Sequence, residues 1–120
     1  MEISENILGV IGRTPMVRIN CLSPNKNVNI YAKLEGFNPS GSIKDRIALR
    51  MIREAIDTGA FQPGQTIIEA TSGNSGIGLA MAGVVLGYPV EIVMSESVSV
   101  ERRIIIRSYG AKVTLTPGDE

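Results

Sequence analysis

The sequence predicts an α/β fold, a three-layer sandwich built on a mostly parallel sheet. Three observations carry that expectation. Short β-rich runs alternate with helical ones along the 120 residues. The connections between strands are about a dozen residues or more, the length a right-handed βαβ crossover needs. Turn formers punctuate the units, at Asn38-Pro39, Gly59, Pro63-Gly64, Gly87, Gly110 and Pro117-Gly118.

The elements follow in order. Residues 28–34 (VNIYAKL) read as a strand and residues 42–58 as a helix. In that helix Ile43, Ile47, Ala48, Met51, Ile52, Ala55 and Ile56 recur at helical spacing and mark a buried face. Arg46, Arg50, Arg53 and Asp57 fall on the opposite side. Residues 66–70 (TIIEA) form a short apolar strand, and residues 75–86 an apolar helix closed by Gly87 as its C′ residue. Residues 90–94 (VEIVM) are the next strand. Residues 100–109 contain the β-branched run RIIIR, which has strand propensity, but Ser99 as N-cap, Glu101 in the first turn and Gly110 after the end favour a helix. Residues 113–115 (VTL) close the series as a strand. Met51, Met81 and Met94 read as core, Tyr88 as a packing residue, and Cys21 as a small filler or bystander thiol.

Composition narrows the chemistry. Lys+Arg and Asp+Glu are 12 each, a balance that leaves no electrostatic footprint for nucleic acid or an anionic membrane. Hydrophobic residues make up 43%, too many for a disordered chain, and no apolar run approaches the roughly 20 residues of a membrane span. The start MEISENILGV carries acids where a signal peptide carries basic residues, so a cytoplasmic protein is expected. One cysteine cannot build an internal disulfide. There is no histidine, which removes His bases, His metal ligands and Ser-His-Asp arrangements. No metal site is expected; chemistry must come from Lys, Ser, Thr, Asn, carboxylates or a bound cofactor.

Two features could carry that chemistry. Lys44 lies in the row 44, 48, 51, 55 on the apolar side of its helix, in a first turn where the helix dipole disfavours a cation by about 0.3–1 kcal/mol. Both effects favour a neutral, nucleophilic amine. A lysine that snorkels out from the helix end is the simpler alternative. The second feature is residues 70–78 (ATSGNSGIG), joining a strand end to a helix start. Ligands of open α/β sheets bind at strand carboxyl ends, and helix N-termini present free N–H groups to anions. Thr71, Ser72, Asn74 and Ser75 add short polar side chains, so a carboxylate or phosphate suits the loop; an N-cap with small residues for tight packing explains it equally well. Two look-alikes fail. Gly73, Gly76 and Gly78 reverse the dinucleotide fingerprint, and Gly41-Ser42-Ile43-Lys44 lacks the P-loop ending. Arg102, Arg103 and Arg107 read as a solvated basic face.

Together these segments are more specific. Residues 38–46 (NPSGSIKDR) resemble the N-P-x-x-S-[IV]-K-D-R segment of fold-type II pyridoxal phosphate enzymes, and residues 69–76 (EATSGNSG) resemble the substrate loop of the same family. Residues 11–18 (IGRTPMVR) look like its opening, and Glu101-Arg102-Arg103 and residues 110–113 (GAKV) fall in its order. The likeness covers essentially the whole chain and is strongest to the cysteine synthase (O-acetylserine sulfhydrylase) branch, with cystathionine β-synthases and O-phosphoserine sulfhydrylases nearby. It implies a tryptophan synthase β-like fold of which residues 1–120 are an incomplete N-terminal part. Residues 12–34 would pack with a C-terminal domain, and residues 35–120 would form a small α/β domain.

By the same resemblance Lys44 would bond covalently to pyridoxal 5′-phosphate and move the substrate Cα proton. Asn74 would hydrogen-bond the cofactor's 3′-oxygen, and Thr71, Ser72, Asn74 and Ser75 would hold the amino-acid carboxylate. The implied reaction is β-replacement in cysteine biosynthesis, from O-acetyl-L-serine and sulfide through an aminoacrylate, by a homodimer. Ser75 stands where many members carry Thr, and Ser95 where many carry Pro. The family's later phosphate-binding loop and pyridine-nitrogen partner have no counterpart before residue 120, which keeps open a non-catalytic binding remnant.

Overall fold

The computed structural model describes residues 3–118; residues 1 and 2, and residues 119 and 120 of the expected small domain, lie outside them. Five strands and three α-helices follow in chain order: β1 (Met16–Ile19), β2 (Ile30–Lys33), α1 (Lys44–Asp57), β3 (Ile67–Ala70), α2 (Asn74–Val85), β4 (Val90–Ser95), α3 (Val100–Ser108) and β5 (Lys112–Thr116). Short 3₁₀ turns at Ile7–Val10 and Glu35–Phe37 precede β1 and α1 respectively.

Strands β3, β4 and β5 form a parallel sheet in that order, with Ile68 opposite Glu91 and Ile92 opposite Val113. Strand β2 does not join it. It pairs antiparallel with β1, Val17 opposite Ala32 and Ile19 opposite Ile30, as a separate hairpin. Residues 28–34 are therefore a strand as expected, but not of the parallel sheet. Strand β1 has no counterpart in the sequence reading, although MVRI between Pro15 and Asn20 alternates as a strand does. The α3 assignment over the RIIIR run holds, while the Ser99 side chain makes no capping bond.

The layers stack as sheet, then α2 with α3 beside it, then α1. Helix α2 is apolar all round, which is what a helix enclosed on every side requires, and residues 76–83 are all buried. Its glycines set the spacing. A Cβ at Gly83 would lie 2.4 Å from Val90 Cγ2, and one at Gly76 3.1 Å from Ile92 Cγ2, so that face meets the sheet. A Cβ at Gly78 would lie 3.2 Å from the Lys44 carbonyl oxygen and 3.3 Å from Ala48 Cβ, so the opposite face meets α1. Ile106 of α3 and Ile92 of β4, both fully buried, complete the core. Met81 and Met94 are buried as expected, and Tyr88 packs on Phe61 with ring centroids 4.8 Å apart.

The buried stripe of α1 is rotated from the expected one. It runs through Asp45, Ala48, Leu49 and Ile52, whereas Ile43, Ile47 and Met51 are about half exposed. Leu49 joins the cluster that holds Leu8, so the segment before β1 draws the helix face around. Cys21 is exposed and fills no core position. Among the described residues no helix is long and apolar enough to cross a membrane.

Substituting Gly83→Ala should destabilise the protein by about 1–3 kcal/mol, because neither Val90 nor the sheet behind it can retreat. A lower urea midpoint with an unchanged slope would show this, and an unchanged midpoint would contradict the packing.

Candidate active site

The site grows from two helix starts. Helix α1 begins at Lys44, whose N–H donates to Ser42 Oγ at 3.2 Å, and the preceding turn closes with Gly41 N–H donating to the Asn38 carbonyl at 2.8 Å. Gly41 has φ +87, so the turn that aims the chain into the helix needs a residue without a Cβ. Helix α2 begins at Asn74, directly after the carboxyl end of β3. No side chain caps it: Thr71 Oγ1 accepts from Gly73 N–H at 3.2 Å, one residue short of the helix. Its first N–H groups thus remain available to an anion.

Lys44 and Ser75 line the same narrow cleft, of about 90 Å³, together with Ala48, Glu69 and Leu79. Lys44 begins α1 and Ser75 lies in the first turn of α2, so the first turns of both helices border it. Thr71 and Ser75 are half-buried, Ser72 and Asn74 exposed. The structure therefore brings Lys44 to Ser75, and sets the other loop residues around the same helix start. A wider groove of about 390 Å³ beside β3, lined mostly by apolar side chains such as Met51, Phe61 and Ile68, adjoins the cleft and shares Met51, Glu69 and Leu79 with it.

Arg46 departs from expectation. It turns inward rather than to solvent, and its Nε and Nη2 fork onto the two Glu35 oxygens, each at 2.8 Å. Nη2 also donates to the Gly12 carbonyl and to Thr14 Oγ1, both at 3.0 Å. Asn38, only 3% exposed, donates from Nδ2 to Glu35 Oε2 at 2.8 Å and accepts from Gly12 N–H at 2.9 Å. The Arg46 hydrogen bonds, with those of Asn38 and Thr14, hold the Glu35 carboxyl at about 2 against an ordinary 4.5. Asp45 is fully buried and takes the Ser40 N–H at 2.8 Å and the Ser40 hydroxyl. These roles were missed, although Asn38, Ser40, Asp45 and Arg46 sit in the NPSGSIKDR segment itself. The basic face of α3 is also not simply solvated: Arg103 donates to the Val98 carbonyl at 2.8 Å, and Arg102 reaches the Ser72 carbonyl. Ser95 organises its turn by accepting from Ser97 N–H at 3.1 Å.

A family model described as "Pyridoxal-phosphate dependent enzyme" matches residues 7–120. The chain belongs to that family. It is 50% identical to a probable cysteine synthase of Bacillus subtilis over 120 residues, covering 100% of this chain and 39% of that protein. It is 48% identical to the O-ureido-L-serine synthase of Streptomyces lavendulae, covering 98% of this chain and 36% of that one. The crystal structure of O-acetyl serine sulfhydrylase isoform 3 from Entamoeba histolytica superposes with a TM-score of 0.93 at 49% identity, over 98% of this chain and 36% of the other. The chain thus spans 36–39% of the length of these relatives. The fold-type II assignment and the expected pyridoxal phosphate dependence of the family stand on these matches.

The Glu35 carboxyl sets an acid limit. Its folded value lies below the unfolded one, so it contributes stability above pH 4.5 that is lost as pH falls from 4.5 through about 2. Wild-type urea midpoints should therefore drop across that window, and Glu35→Gln should flatten the drop; equal slopes for both proteins would count against the assignment.

Proposed function

We propose that this chain is the lysine-bearing part of a pyridoxal phosphate-dependent β-replacement enzyme that makes L-cysteine from O-acetyl-L-serine and sulfide. The observation that carries the reading is the shared cleft of Lys44 and Ser75, which lie in the first turns of α1 and α2. The likeness to a cysteine synthase and to an O-acetyl serine sulfhydrylase supports the substrate choice.

The residues suit the cofactor. A half-buried amine at a cleft can meet an aldehyde, and an uncapped helix start lined by hydroxyls can meet an anion. When bound, pyridoxal phosphate takes up the electron pair left at the substrate Cα. Lys44 would hold the cofactor through Nζ and would accept and return the Cα proton, while the Lys44 carbonyl pressed on Gly78 keeps its backbone in place. Asn74 would donate to the oxygen on the cofactor ring. Thr71, Ser72, Asn74 and Ser75 orient the substrate carboxylate against the start of α2, where the helix dipole favours negative charge by about 0.3–1 kcal/mol. Acetate leaves from Cβ and sulfide takes its place.

Residues 12–34 fit a role in contact with the rest of such an enzyme. A two-stranded hairpin is marginal alone, and Val17, Ile19, Ile30 and Ala32 share one apolar face of it. We place that face against the C-terminal domain, and read the working enzyme as a homodimer.

Lys44→Ala in the whole protein should abolish both cysteine formation and the fast-forming label left by pyridoxal phosphate and borohydride, leaving only the slow labelling of surface lysines such as Lys112. Ser72→Ala and Asn74→Ala should raise KM for O-acetyl-L-serine several-fold. A fast-forming borohydride label that persists in Lys44→Ala would refute the assignment of the lysine.

A further inference from the structure

Three consecutive side chains leave the first turn of α1 in three directions. A helix rotates about 100° per residue, so Lys44, Asp45 and Arg46 cannot share a face. Asp45 turns into the protein, is fully buried, and holds Ser40 through its N–H at 2.8 Å and its hydroxyl. That pins the helix to the turn that feeds it. Arg46 turns toward the neck of the hairpin. Its forked bond to Glu35 and its bonds to Gly12 and Thr14 tie together the chain entering β1 and the chain leaving β2. Glu35 cannot swing away, because each of its oxygens accepts a second bond, from Thr14 at 2.9 Å and from Asn38 at 2.8 Å.

Lys44 is the third side chain, and it is the one that lines the cleft with Ser75. A turn pinned at two azimuths cannot rotate about its axis without breaking charge-assisted bonds, which are about twice as strong as neutral ones. We propose that Asp45 and Arg46 are positioning residues that fix the rotation of the first turn of α1 and so hold the Lys44 amine at the cleft beside Ser75. This rests on the reading of Lys44 as the cofactor-bonding lysine. The requirement is geometric, so charge alone does not satisfy it: the Arg46 fork matches a carboxylate edge that a lysine cannot.

The test follows Lys44 itself. The whole protein, freed of cofactor, is mixed with pyridoxal phosphate and quenched with borohydride at intervals, and the labelled lysines are quantified by peptide mass spectrometry. Lys112, on β5 and ion-paired to Glu91, serves as the reference in the same sample. Arg46→Met and Asp45→Asn should slow labelling of Lys44 by about 10- to 100-fold, the cost of displacing a reacting group by about 1 Å, and leave Lys112 unchanged. Arg46→Lys should slow it as well. Lys44 labelling at the wild-type rate in Arg46→Met and Asp45→Asn overturns the proposal, as does equal slowing at Lys112. If Arg46→Met loses its cooperative unfolding transition, Arg46→Lys decides between the same two results. Failure of the unsubstituted protein to label Lys44 ahead of Lys112 overturns instead the reading of the lysine on which the proposal stands.

Discussion

Helix α2 has room for hydrogen only at Gly76, Gly78 and Gly83, and much of the architecture depends on that restriction. The first and third of these glycines let the helix lie on β3 and β4, and the second lets the start of α1 lie on α2. Interiors are packed close to crystal density, so an added methyl group at any of the three would have to move a layer. The distance between Lys44 and the loop before α2 is consequently set by backbone against backbone. Side-chain packing alone, with its rotamer freedom, would locate that amine less sharply.

Close approach settles distance but leaves rotation free. A helix resting on a smooth, glycine-bearing surface could turn about its own axis, and the apolar stripe of α1 offers weak resistance, with Ile47 and Met51 about half exposed. Buried polar bonds supply the missing direction. Asp45 has no exposed surface, and the two donors of Ser40 together with a place in the first turn of a helix compensate its charge. Arg46 and Glu35 compensate each other. The tripeptide 44–46 therefore contains one residue aimed at the cleft and two whose polar atoms are engaged elsewhere.

Much of this order was legible in the chain. Alternating β-rich and helical runs located β2 to β5 and all three helices within two residues or so, because apolar periodicity and Gly or Pro boundaries are local signals. Pairing is not local. Nothing in VNIYAKL distinguishes a strand of the parallel sheet from one arm of a hairpin, and that choice depends on Met16–Ile19. The face of α1 was misjudged for a related reason. Counting apolar residues treats each charge as solvent-seeking, so Arg46 falls outward and Asp45 is left off the buried face, whereas their partners Ser40, Glu35, Thr14 and Gly12 come from turns whose spatial neighbourhood periodicity cannot reveal. Lys44 and the 71–75 loop could be singled out because each broke a local rule: a cation on an apolar row in a first turn, and a run of short polar residues at a strand end.

The charge balance of the chain sharpens what such a cleft can do. With 12 basic and 12 acidic residues there is no net charge to gather anions from a distance. Attraction must arise within a few ångströms, and a cleft bordered by the first turns of two helices suits that need, since the dipole field is strongest over the first turn and fades beyond it. A short-range field also selects by geometry. Under the proposed function, the substrate carboxylate would gain from it only when seated at the start of α2, beside the cleft that Lys44 lines. Anion recognition and proton transfer would then, under that same function, be two consequences of one placement, because the glycine contact that lays α1 on α2 brings Lys44 and Ser75 to one cleft.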